Sequence, residues 1–179
     1  MGDPLRRDVL LHRAIYVAVA LFMLFLRLLP LDSTAGRLPG PDILLCLTLA
    51  WVLRRPDYVP VLLIATVVLL EDLLLMRPPG LWTALVVLGS EVLRSRLALT
   101  RELSFLMEWL FIAMLMLAMF FLYRLAFAVT ALPQPGFGFA MAQVLASILV
   151  YPLVVGLSRI TLGVHKPGMG ELDDMGRRL

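Results

Sequence analysis

Cysteine is almost absent from this chain: Cys46 stands alone in 179 residues. An intramolecular disulfide is therefore excluded, and a cysteine-built metal site has too few ligands. Histidine is nearly as scarce, with His12 and His165 near the two ends, where both read as solvated tail residues. Charge is thin as well. Asp, Glu, Lys and Arg make up 16% of the residues and hydrophobic types 61%, whereas a soluble domain carries about 25% charged residues. With a mean hydropathy of +0.92, the chain cannot cover a water-facing surface. The period-2 alternation of barrel strands is also missing. Lipid admits only helices and closed barrels, so the expected class is an all-α polytopic membrane protein.

Other absences narrow the function. There is no HExxH, P-loop or GxGxxG, so no familiar metal, nucleotide or dinucleotide cofactor is expected. An intramembrane aspartyl protease would need GxGD and a second deep aspartate. A rhomboid-like enzyme would need Ser with His inside the membrane. Neither pattern is present, and the chain reads as a non-enzyme. The net charge of +3 comes with no basic helix or aromatic-basic module, so nucleic acid is not an expected partner. No internal repeat supports a proton-coupled carrier built on Glu71 and Asp72.

What remains is a series of apolar runs divided by turn residues. A basic head over 1–13 precedes spans at 14–26, 41–53, 58–76, 81–93, 103–129 and 138–162, and a loose cytoplasmic tail covers 163–179. The run at 41–53 is short against the ~20 residues of a full crossing, so five spans is the alternative to six. With six spans and both termini cytoplasmic, all the basic residues except Arg27, Arg37, Arg77 and Arg124 fall on the cytoplasmic side, as the positive-inside rule requires. Ala14 and Ala18 sit at a spacing that lets helices approach closely. The methionines of 107–123 surround their helix and read as packing residues.

Charges inside spans are costly and mark sites. Glu91 and Glu108 read as interfacial acids with local partners, Arg94 and Ser104 respectively. The stretch "VVLLEDLLLMRPPG" at 67–80 is different. Its two acids, with Arg27 and Arg124, share one outer layer. Neighbours on a helix diverge by about 100°, so Glu71 and Asp72 cannot share a partner. One is expected to face the core toward Arg124. The other faces a partner protein or headgroup water, and the direction of Glu71 stays open. Pro152 in the last span frees a carbonyl one turn back. The bend either is satisfied within the bundle or leaves a cavity lined by Gln143, Ser147 and Tyr151.

Three motifs fall in a telling order: "GPDILLCLTLAWVLRRP" at 40–56, "EDLLLMRPPGLW" at 71–82 and "SILVYPLVVGLSR" at 147–159. Together they resemble the rod shape-determining protein MreD family over roughly residues 10–160. Positions matching its pattern are Pro41, Asp42, Asp72, Gly80 and Pro152. Glu71 is an addition, and the small glycine one or two turns before the aspartate is absent. The resemblance implies an inner-membrane scaffold of bacterial cell-wall elongation. Its implied partners are MreC, the wider assembly of MreB, RodA and the elongation transpeptidase, and membrane lipids. It also implies a fold similar to the substrate-binding subunits of energy-coupling-factor transporters, so a small-molecule-binding transport subunit is the alternative function.

Overall fold

The computed structural model describes residues 4–29, 40–97, 104–130 and 136–162. Most of the expected loop at 31–41, residues 98–102 of the expected charged loop at 94–102, and the tail 163–179 with His165 lie outside these residues. The described part is all helical. It comprises α1 (Pro4–Leu28), α2 (Ile43–Arg54), α3 (Val61–Leu74), α4 (Leu81–Ser95), α5 (Phe105–Thr130) and α6 (Phe137–Leu162), plus one 3₁₀ turn, Pro56–Tyr58.

Local chemistry sets the boundaries. Asp42 caps α2, its Oδ1 accepting the Leu45 N–H at 3.0 Å, which satisfies one of the orphan donors of the first turn. Arg55, the residue before Pro56, is pushed into extended backbone with φ −143°, and the helix stops there. At the far end of α3, Met76 takes φ 53° and Gly80 takes φ 88°. The chain thereby reverses tightly around Pro78 and Pro79 before α4. Gly80 is the residue type that adopts this left-handed conformation without a Cβ penalty.

One boundary differs from expectation. The basic head is not separate from the first helix, because α1 already begins at Pro4. It is held down by the 3₁₀ turn. The Tyr58 hydroxyl donates to Asp8 at 2.8 Å, and Arg13 donates twice to the Asp57 carbonyl, at 2.9 and 3.1 Å. His12 stacks on Tyr58 with ring centroids 4.2 Å apart. It is therefore a packing residue and not a solvated tail residue.

Three helices are long and apolar enough to cross a membrane: Arg7–Leu28 within α1, α5, and Phe137–Thr161 within α6. They mark the chain as a membrane protein. At 1.5 Å per residue α5 and α6 are about 39 Å long, whereas α2 is about 18 Å, less than the ~30 Å hydrocarbon core. Helix α2 is the centre of the bundle. Every residue from Leu44 to Arg54 is buried, enclosed by α1, α4 and α6. Helix α3 pairs with α4, and α5 closes the bundle against α4 and α6. At Gly89 an added Cβ would stand 3.0 Å from Met119 Sδ, so α4 and α5 meet closely there. Leu149, Leu153 and Leu157 of α6 and Phe22 and Phe25 of α1 point outward, as a lipid-facing surface requires. Ala14 and Ala18 are exposed and mediate no close approach within the described bundle.

Candidate functional site

The polar residues of the bundle gather at the two ends of α2. At its N-terminal end Arg27, from the last turn of α1, lies 3.1 Å from Asp42 Oδ1 and forms an ion pair with Glu71. Arg77 approaches the same Glu71 oxygen at 3.7 Å. One guanidinium thus ties α1 to α2 and α3. Glu71 and Asp72 are both fully buried, at 1% and 0% exposure, so the expectation that one of them faces outward is corrected. They do diverge as helix geometry demands. While Glu71 meets Arg27, Asp72 turns to the start of α4. Its Oδ2 accepts from the Thr83 N–H at 3.1 Å, the Thr83 hydroxyl at 2.9 Å and the Gly80 N–H at 3.2 Å. Asp72 caps the next helix from eleven residues upstream. Its other oxygen, Oδ1, is buried with no hydrogen-bond partner among the described residues.

The expected Asp72–Arg124 pairing is therefore replaced. Arg124 lies over Phe120 and Phe137, 5.8 and 5.2 Å from the ring centroids. The short loop between α3 and α4 brings Thr83 and Gly80 to Asp72 first. Asp42 serves twice, as the α2 cap and as a partner of Arg27. Its backbone N–H also donates to Ser147 Oγ of α6 at 2.7 Å. Pro41 precedes this cap, and its carbonyl accepts from Ile43 at 3.1 Å.

At the other end of α2, Arg54 NH2 reaches Glu108 Oε1 at 2.7 Å, and the Tyr151 hydroxyl donates to the same oxygen at 3.2 Å. Arg54 is 6% and Glu108 1% exposed. Glu108 is thus buried, and its carboxylate is the centre of a three-helix network. Glu91 does keep the local partner expected of it, with Arg94 Nε 3.0 Å away. Arg94 also donates to the Val59 carbonyl and, at 3.5 Å, to that of Pro56.

Pro152 is satisfied within the bundle. The carbonyl it frees, that of Ile148, accepts from the Trp109 indole N–H of α5 at 2.8 Å. The neighbouring Ser147 carbonyl accepts from Cys46 Sγ at 3.3 Å. Neighbouring helices thus replace the hydrogen bond that proline removes, as lipid demands.

A cavity of about 330 Å³ lies above this proline, between the start of α2, the α3–α4 turn, the second half of α5 and the first half of α6. Asp42, Arg77, Arg124, Gln143 and Ser147 supply its polar wall, and Trp82, Phe120, Tyr123, Phe127 and Phe139 its aromatic one. Gln143 and Ser147 line it as expected, but Tyr151 belongs to the Arg54–Glu108 network. Of the site residues read from the sequence, Asp42, Glu71 and Asp72 gather in one layer with Arg27, and Arg124 borders the cavity beside Asp42. Pro152 lies farther along α6. Sequence reasoning missed Arg27 as the hub and Arg54–Glu108 as a pair. The available signal was that each is a charge embedded in or ending an apolar run. Among the described residues no group of three or more His, Cys, Asp or Glu side chains is placed to hold a metal ion. Compared with protein-family models, curated proteins and solved structures, the chain matches none.

Proposed function

We propose that this chain is a non-enzymatic scaffold of the bacterial cell-wall elongation machinery, an inner-membrane protein of six crossings that binds MreC and helps maintain rod shape. Both termini face the cytoplasm in this reading. The observation that carries it is the way the buried charges are spent. Arg27 holds Asp42 and Glu71, Arg54 holds Glu108, and Asp72 holds the start of α4. These groups join helices to one another and do not converge on a reacting centre. Such a bundle presents a rigid shape to a partner. The residues that carry the MreD-family resemblance, Asp42, Asp72, Gly80 and Pro152, each take part in a turn, cap or interhelical contact that fixes this shape.

Six crossings accord with the alternation of the helices and with the basic residues gathered at one set of ends. The short α2, α3 and α4 cross within a bundle whose outer helices are long, and the bilayer thins or the flanking arginines snorkel to match them. The test is co-purification. A tagged chain extracted in mild detergent is expected to bring MreC with it, and repeated failure to do so overturns the scaffold reading.

The 330 Å³ cavity favours a second reading, a small-molecule-binding transport subunit. Retention of a vitamin through purification would place that reading first.

A further inference from the structure

The wall of the cavity is unevenly committed. Its acid, Asp42, is engaged with Arg27 and with the Leu45 N–H. Ser147 Oγ is engaged as well, donating to the Gln143 carbonyl and accepting from the Asp42 N–H. Four further lining groups are not engaged in this way. Among the described residues, the Arg77 guanidinium, the Trp82 indole N–H, the Tyr123 hydroxyl and the Gln143 amide make no hydrogen bond, although all four line the same cavity. Arg77 has only the 3.7 Å approach to Glu71, which Arg27 already holds, and a face-on contact with Trp82 at 5.9 Å.

The unspent capacity is mostly donor. Arg offers five N–H groups and Trp one, with Tyr and Gln adding more. A wall whose open groups are mostly donors, a guanidinium among them, calls for an acceptor-rich, anionic guest. The rest of the lining calls for a flat apolar body, because aromatic side chains bind rings by stacking and edge contacts. Size sets the limit. A cavity of about 150 Å³ takes one benzene, and this one measures about 330 Å³. It has room for one or two rings, and it cannot enclose a whole two-chain lipid.

We propose that this cavity binds a small aromatic oxyanion, its acidic group held by Arg77 and its ring by Trp82, Tyr123 and Phe127. Gln143 reads a further acceptor on the ring. The same wall would also take the phosphate of a lipid headgroup, with the acyl chains left outside, so the oxyanion has two possible sources. The inference uses the cavity alone. It stands for a scaffold or for a transport subunit, and its failure leaves the co-purification test untouched.

The full-length protein in nonionic-detergent micelles is titrated calorimetrically with 2-naphthoate and with neutral 2-naphthalenemethanol, empty micelles serving as the blank. Saturable one-to-one binding of the naphthoate is expected, at least about tenfold tighter than the alcohol, the scale of one charge-assisted hydrogen bond. Arg77→Gln should weaken it by a similar factor. Gln143→Leu and Tyr123→Phe should each weaken it less, and they keep the test open if Arg77→Gln misfolds. Competition by phosphatidylglycerol, but not by phosphatidylcholine, assigns the oxyanion to a lipid headgroup. Binding without such competition assigns it to a soluble acid. Equal binding of acid and alcohol overturns the proposal. So does binding unchanged by all three substitutions, or no saturable binding of either naphthoate or phosphatidylglycerol.

Discussion

Asp72 acts as a helix cap delivered from a neighbouring helix. Its Oδ2 serves three donors, from Gly80 and Thr83. Asp72→Ala leaves them without an acceptor and should cost about 1–2 kcal/mol, the usual worth of a cap. Asp72→Asn keeps an acceptor oxygen and should cost less. Thermal unfolding in micelles separates the two, and an equal loss would refute the capping role. Arg54 and Glu108 make a harsher case, because both are buried. Glu108→Leu strands a guanidinium and should cost about 3–5 kcal/mol, while Arg54→Met together with Glu108→Leu should recover most of the loss. The same melting measurement decides it. These partners could not be read from the chain. That Glu71 and Asp72 diverge follows from helix geometry alone, but Arg27 and Thr83 as their partners follow from packing. Local spacing likewise offered Ser104 to Glu108, and the tertiary fold supplied Arg54.

The helices themselves were far more legible than their contacts. Arg55-Pro56, the prolines at 78 and 79 with Gly80, and the long uninterrupted runs of α5 and α6 mark ends that chain chemistry enforces. The start of α1 was hidden, because Asp8, His12 and Arg13 look like a solvated head. Their pairing with Asp57 and Tyr58 exists only once the 3₁₀ turn is in place. Pro152 shows the same division. Its freed carbonyl is predictable, but the indole that takes it is not. Trp109→Phe should cost about 1 kcal/mol more when Pro152 is present than in a Pro152→Ala background, where Ile148 regains its helical donor. A double-mutant cycle of unfolding energies measures that difference, and additivity would remove the link between Trp109 and the proline.

The bundle as a whole has two polar layers separated by the length of α2, about 18 Å, inside a slab formed by longer outer helices. If every helix crosses, cysteines replacing Pro79 and Gly136 should react with an impermeant maleimide on intact cells. Those replacing Asp57 and Arg96 should react only after permeabilisation. All four positions are exposed, and native Cys46 is fully buried and should stay unlabelled. Any other pattern removes the six-crossing arrangement. The sealing of α2 also bears on how the protein is made. A helix with Asp42 at one end, Arg54 at the other and no face left for lipid gains little by entering a bilayer alone. Its main neighbour, α6, leaves the ribosome only after α3, α4 and α5. Helix α2 must therefore wait for α6, sheltered by α1 or by the insertion machinery. A chain cut before Phe137 should be degraded as an orphan and should not persist as a smaller bundle.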